Sequence, residues 1–356
     1  MANTQSLEIE SEFEVDDPIV TVRNTSVTFD MQRGQSKVLD GVDMDIERNE
    51  ILGVVGESGS GKSMFASAML DAVVDPGVLG GEITYYPSPE EPVDILGLTT
   101  KELKQYRWAE ISMVFQGAMS SFNPTMKVKT HFEETLDAHG ANYNEGMQRA
   151  RELLSDLYLD PDRVLDAYPH ELSGGMRQRT LIALSMVLDP KVLVMDEPTA
   201  ALDLLMQRSI LKLLTEIKEK YDITLIFITH DLPLVAELAD RVAVMYAFEF
   251  VEVGPTRKLL SNAAHPYTRA LLNTTPNMST PVEEMKSIKG SSPDPVNVPP
   301  GCSYNPRCPL ATDECREHDP EYHEVSRSHR AKCFHWEEAE EAIPLAIPSF
   351  EEVGDQ

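Results

Sequence analysis

The octapeptide GESGSGKS, Gly56 to Ser63, has the glycine spacing of a loop that cradles phosphate. The backbone N–H groups of Gly56, Glu57, Ser58, Gly59, Ser60 and Gly61 can form an anion nest, and a helix starting at Lys62 adds positive potential. Lys62 can reach β- and γ-phosphates, and Ser63 can ligate Mg²⁺. A second element, VLVMDEP, is an apolar strand ending in Asp196 and Glu197. Beside a phosphate nest, Asp196 suits Mg²⁺, and Glu197 can orient or deprotonate an attacking water. A third, LSGGMRQR, offers Ser173 as a helix cap and Gly174 and Gly175 as points where backbone amides approach an anion closely.

Four cysteines, Cys302, Cys308, Cys315 and Cys333, are the only thiols in 356 residues. The opening MANTQSLEIESEFEVDDP lacks the basic start and apolar run of a secretory signal, and no apolar run approaches the ~20 residues that span a bilayer. A cytoplasmic setting is expected, where clustered thiols point to metal or redox chemistry rather than disulfides. Their spacings, with five, six and seventeen intervening residues, lack the paired C-x₂-C turns of most zinc ribbons. Spacing alone leaves iron–sulfur and zinc equally open, with His329 or His335 available to a zinc site. The thiols lie far in sequence from every phosphate-handling residue, so a structural or oxidant-sensitive role is expected.

The elements that must position these groups follow from pattern. An apolar fraction of 42% is ample for a core. IVTVRNTSVTF and VLDGVDMDI alternate as half-buried antiparallel strands, and ILGVVG reads as a buried strand followed by a helix over KSMFASAMLDAVV. Further β-branched runs at ISMVF, KVLVMDE, ITLIFITH and RVAVMY alternate with helical sequence, which implies an α/β order and a mainly parallel sheet. Between Gln116 and about Asp189 helical patterns replace strands. The Pro-rich connector SSPDPVNVPPG leads to the cysteine segment. With 31 Lys plus Arg against 59 Asp plus Glu, the net charge of −28 has the wrong sign for a nucleic-acid face. A solvated acidic surface is expected, of the kind that tolerates high salt.

The glycine octet LSGGMRQR just before the Asp–Glu pair is the signature of ATP-binding-cassette ATPases, and the chain resembles the importer subunits of that family from about Ile19 to Trp336. VGESGSGKS, NPTM, HPYTRALL and PPGCSYNPRCP resemble the dipeptide and oligopeptide branch most closely. The resemblance implies an α/β fold: a P-loop NTPase core with an antiparallel β subdomain, a helical insertion and a small cysteine-containing C-terminal extension. It also implies residue roles. Phe29 stacks on adenine. Gln116 contacts Mg²⁺ and the lytic water, joining Ser63 and Asp196 as metal ligands. Asp203 lies at the dimer interface, and His230 contacts the γ-phosphate. Ser173, Gly174, Gly175 and Gln178 serve the ATP of a partner cassette. ATP and Mg²⁺ are thus expected, with a four-iron, four-sulfur cluster at the cysteines, as some relatives hold, or zinc.

The implied partners are two membrane permeases, a second ATPase subunit identical or paralogous, and an external solute-binding protein reached through the complex, at the cytoplasmic membrane face. Peptides, nickel or oligosaccharides are the solutes of such relatives. A soluble cassette acting on nucleic acid would carry a basic surface or two cassettes, and this chain has neither. The expected organisation is an acidic tail to residue 17, a cassette over 18–262 with its helical part at about 117–189, an extension over 263–336, and an acidic tail from 337. Two departures from the family stand out. Phe248 and Glu249 replace a Gly and an often basic residue after MYA, which argues against a two-residue turn there. GAMSSFNP after Gln116 lacks the usual acidic-Pro pair in a loop expected to face the membrane partner.

Overall fold

A computed structural model describes residues 15–117, 121–200, 202–274 and 288–345. Most of both acidic tails, and Ala118, Met119 and Ser120 of GAMSSFNP, lie outside the described residues.

Strands β1 (Pro18–Met31) and β2 (Gly34–Glu47) form a long antiparallel pair, and β3 (Ile51–Val55) then enters the main sheet ahead of helix α1 (Lys62–Met69). After β4 (Val78–Tyr85) and β5 (Val93–Asp94), helix α2 (Thr100–Ala109) starts with a reciprocal cap between Thr99 and Glu102. Strand β6 (Ile111–Val114) precedes four helices: α3 (Val128–Ala138), α4 (Tyr143–Asp156), α5 (Pro161–Asp166) and α6 (Gly174–Ser185). The chain returns through β7 (Val192–Asp196), α7 (Leu204–Tyr221), β8 (Thr224–Thr229), α8 (Leu232–Leu238), β9 (Arg241–Tyr246) and β10 (Glu249–Pro255). It ends with α9 (Thr256–Asn262), α10 (Pro266–Asn273), α11 (Asp313–Glu317), the hairpin β11 (Tyr322–Ser326) and β12 (His329–Lys332), and α12 (Ala339–Ala342).

The smaller sheet has the order β2-β1-β4-β5 and the larger the order β11-β12-β10-β9-β3-β8-β7-β6, with β9-β3-β8-β7-β6 parallel. Residues of β3 alternate between two cores because successive side chains of a strand point to opposite faces. Leu52 and Val54 join the core shared with α1 and the small sheet, whereas Ile51 and Val55 join the core under the helices. The strands β3, β7 and β8 are buried along their whole length, as a parallel sheet covered on both faces requires.

Two local expectations are corrected. Helix α1 stops at Met69 instead of running on through LDAVV: Leu70 N–H and Asp71 N–H bond carbonyls three residues back, and Asp71 takes φ 46°. Arg107 Nε then takes the Leu70 carbonyl at 2.8 Å, so the helix end is satisfied from outside. The β9–β10 connection is a two-residue turn despite its sequence, with Tyr246 paired to Glu249 and Ala247 and Phe248 at φ 46° and 76°. The conformation is held by its surroundings: Phe248 N–H donates to the Ser60 carbonyl at 3.0 Å, and its carbonyl accepts from Asp40 N–H at 3.1 Å. The cysteine-containing extension is joined to the main sheet, because β12 pairs with β10.

Candidate nucleotide site

Strand β3 delivers the chain into the loop Gly56–Gly61, and α1 leaves it. Gly56 has no room for a side chain, since a Cβ would lie 2.1 Å from the Met245 carbonyl oxygen. Gly61, the N-cap of α1, has φ 110°, which L side chains rarely adopt. Ser58 and Gly59 are exposed at the tip, and Ser60 is buried. Lys62 is folded back, its Nζ donating to the Gly56 and Glu57 carbonyls at 2.8 Å each. Burial lowers the Lys62 ammonium below the usual lysine range, against the pull of Glu197, Asp196 and Glu57.

Strand β7 ends at Asp196, beside the loop. Burial raises its carboxyl, and a hydrogen bond from Ser63 opposes the rise. Its Oδ1 is buried with no hydrogen-bond partner. An orphaned carboxylate oxygen next to a hydroxyl is the donor set of a hard cation that keeps water and phosphate as other ligands, so Ser63 and Asp196 fit Mg²⁺. Gln116, just past β6, is exposed on the same side.

Glu197 takes φ 46°, and its N–H donates to the Ile228 carbonyl at 2.9 Å. This turn aims the carboxylate between two neighbours. Gln116 Nε2 donates to Oε2 at 2.9 Å, and His230 Nδ1 lies 3.2 Å from Oε1. His230 follows β8 and is exposed, whereas the Glu197 side chain is 14% exposed. Phe29, near the end of β1, is half-buried with its ring against Gly77.

Ser173 caps α6, its Oγ accepting from Met176 N–H at 3.3 Å, and is exposed. Gln178 differs: one and a half turns on, it points inward, 3% exposed, with Nε2 unpartnered. Asp203 caps α7 in the same way, accepting from Met206 N–H at 3.0 Å. Beside it Leu204 and Leu205 are exposed, an apolar pair that the helical pattern of the sequence does not flag.

The C-terminal segment reaches this site although it lies far from the loop in sequence. His265 Nδ1 accepts from Tyr267 N–H, and the Tyr267 hydroxyl accepts from Glu57 N–H at 2.9 Å. Arg307, one residue before Cys308, pairs with the Glu57 carboxylate through both terminal nitrogens at 2.6 and 3.0 Å, and Ser292 adds a third bond. Burial pushes Glu57 up, but Arg307, Ser292 and Lys62 outweigh it and hold the carboxyl low. The rings of Tyr246, Tyr267 and Tyr304 pack tilted and edge to face, with centroids 4.5 to 5.4 Å apart.

All four cysteines are free thiols, Cys315 and Cys333 buried and the other two half-buried. Burial first, then Glu249 and neighbouring thiols, push Cys302 up to about 12; burial and Cys315 push Cys308 up to about 11, and burial with all three other thiols raises Cys333. The four therefore share one neighbourhood, and as a donor set they suit a four-thiolate centre. Among the described residues, however, no three His, Cys, Asp or Glu side chains are grouped as a bound metal ion requires. His329 is engaged elsewhere, its Nε2 2.8 Å from Glu252 in a fully buried pair. His335 Nε2 lies 3.2 Å from Thr312, whose hydroxyl is 3.4 Å from Cys315 Sγ.

Comparison with known proteins places residues 39–200 in the ABC transporter family and residues 251–315 in the oligopeptide/dipeptide transporter C-terminal region. A dipeptide transport ATP-binding protein of Caldanaerobacter subterraneus is 41% identical over 323 residues, spanning 90% of this chain and 98% of that protein. Its counterpart in Escherichia coli is 38% identical over 317 residues, 88% of this chain and 96% of that one. Among solved structures, a dimeric ATP-binding cassette in a post-hydrolysis state with ADP and Pi matches with a TM-score of 0.57 and 26% identity. That match covers 67% of this chain and 98% of the cassette.

Proposed function

The chain belongs to the ABC transporter ATPases of the oligopeptide/dipeptide branch and is the ATP-hydrolysing subunit of an importer; from that premise we propose how its residues work and what it carries. The reading rests above all on Glu197, bracketed by Gln116 and His230 beside the phosphate loop.

Two cassettes pair head to tail, with each ATP between one chain's loop and the partner's Ser173, Gly174 and Gly175. Phe29 stacks on adenine, and the amides from Gly56 to Ser63 hold the phosphates. Lys62 leaves its two carbonyls for the β- and γ-phosphate oxygens. Ser63, Asp196 and Gln116 would hold Mg²⁺, which would supply neutralisation of the charge on those oxygens. Glu197 Oε accepts a proton from water as the water oxygen attacks the γ-phosphorus in line, and the bond to the bridging oxygen breaks to leave ADP and phosphate. Gln116 orients the water and His230 steadies the γ-phosphate. Asp203, with Leu204 and Leu205, faces the partner cassette. Gln178 supports α6 from within and does not touch nucleotide.

The cargo is a dipeptide or short peptide, as the names of the relatives suggest, with nickel or an oligosaccharide as the rival. Two permeases and an external binding protein complete the complex, and the chain sits at the cytoplasmic membrane face; no helix among the described residues is long and apolar enough to cross a membrane. Reconstitution with its permeases and binding protein in vesicles should give ATP-dependent uptake of labelled dipeptide. Uptake of nickel or an oligosaccharide instead would reassign the cargo. The four thiols hold a four-iron, four-sulfur cluster, with zinc the alternative. The net charge of −28 suits molar salt, where screening shortens to ~3 Å. Melting temperature should then climb from low to molar KCl, and a flat profile removes that reading.

A further inference from the structure

Glu57 is an odd residue for a loop that receives a polyanion. A carboxylate there repels incoming phosphate unless its charge is met, and the groups that bond it, Arg307 and Ser292, both come from the C-terminal segment. The Arg307 side chain is 5% exposed and spends its fork on Glu57 Oε2 and Oε1 at 2.6 and 3.0 Å. Its Nε is fixed by the Lys289 carbonyl at 2.8 Å, and its guanidinium lies 5.7 and 5.9 Å from the Tyr246 and Tyr304 rings. The same segment fixes the Glu57 backbone, because Tyr267 accepts its N–H. The Glu57 carbonyl is held from inside the loop, by Ser60 N–H at 3.2 Å and by the Lys62 ammonium, which must leave when phosphate binds.

We propose that Arg307 is a positioning residue for ATP binding: it neutralises Glu57 and draws the carboxylate away from the phosphate path, so the loop stays open and ordered while Lys62 changes partners. This deepens the nucleotide-site reading and rests on it. Preorganisation of this kind acts on affinity, since the ordering is done before ligand arrives. Arg307 touches neither reacting atoms nor the water, so saturated turnover is spared. The turn carrying Arg307 is tied between the thiols, Arg307 N–H and Cys308 N–H both donating to the Tyr304 carbonyl, at 3.0 and 3.1 Å.

The test measures MgATP dissociation constants on the full chain by equilibrium binding, and KM and kcat for ATP in the reconstituted transporter. Arg307→Ala should weaken binding about tenfold and raise KM in step, with kcat within about twofold of wild type. Adding Glu57→Gln to Arg307→Ala should recover most of the affinity, because the unmatched charge is gone. A structural role alone would not be rescued by that second change. Arg307→Lys keeps one charge without the fork and should lie between, and it serves if the alanine variant fails to fold. Wild-type affinity in a folded Arg307→Ala or Arg307→Lys chain overturns the proposal, as does a weakened Arg307→Ala that Glu57→Gln leaves unchanged. Failure of wild type itself to bind MgATP, with Lys62→Ala no different, would instead sink the nucleotide reading beneath it.

Discussion

His230 Nδ1 lies 3.2 Å from Glu197 Oε1, although 33 positions separate the two residues in sequence. Each sits just beyond a parallel strand, His230 after β8 and Glu197 after β7, and those strands are neighbours in the sheet. Adjacent parallel strands thus bring the proposed base and the group proposed to steady the phosphate together at the carboxyl end of the sheet, where open α/β sheets bind ligands.

The first consequence concerns Glu197→Gln. The amide keeps the hydrogen bonds to Gln116 and His230 but cannot accept a proton from water. ATP binding should persist while hydrolysis falls by a factor of about 10² or more. Phosphate release by the transporter measures this, and turnover near wild type would remove Glu197 as the base.

Lys62→Ala should weaken ATP binding to a dilute monomer by about tenfold or more, the loss of a charge-assisted hydrogen bond. Ser173→Arg should leave that binding intact and abolish ATP-driven dimerisation, read by light scattering in the Glu197→Gln background. Loss of monomer binding in Ser173→Arg would show that the signature does not act across the dimer.

Anaerobically purified protein should absorb in the visible and contain iron and sulfide near four each per chain, lost on Cys308→Ser. A colourless protein with one zinc per chain would assign the site to zinc. Burial holds the Cys302 and Cys308 thiols protonated, so loading should release protons and strengthen as pH rises.

His265 is fully buried and its imidazole is pushed down to about 4, by burial first, despite the nearby Glu252. The unfolded chain binds a proton near 6.5 that the folded chain refuses until about 4. Stability is therefore complete above 6.5 and drains away as pH falls toward 4, by roughly 3 kcal/mol at most. In His265→Asn, which keeps an acceptor for Tyr267 N–H, thermal melts across that window should flatten relative to wild type. An unchanged slope would show that other groups govern acid stability.

The phosphate loop, the Asp–Glu pair and the signature were legible because each is a short stretch whose chemistry depends on spacing of a few residues. The mainly parallel sheet around them followed from the apolar runs. What stayed hidden depends on distant partners. Arg307 and Glu57 are 250 positions apart and share no pattern. The Ala247–Phe248 turn defies its own residues because Ser60 and Asp40 hold its backbone. Gln178 looked like part of an exposed motif, yet helical rotation turns it inward. Leu204 and Leu205 read as an ordinary apolar stripe, since periodicity cannot say which end of a helix lies open.

The pairing of β12 with β10 decides whether this chain can be shortened. A cassette ending after α9 would leave β10 as the outermost strand, with Glu252 and Val253 no longer paired to Ala331 and Arg330. That bare rim of N–H and C=O groups is a template for another chain, and the hydrophobic Phe250, Val251 and Val253 beside it would speed the meeting. The final hairpin therefore acts as a selvedge, keeping each sheet from being woven into its neighbour's.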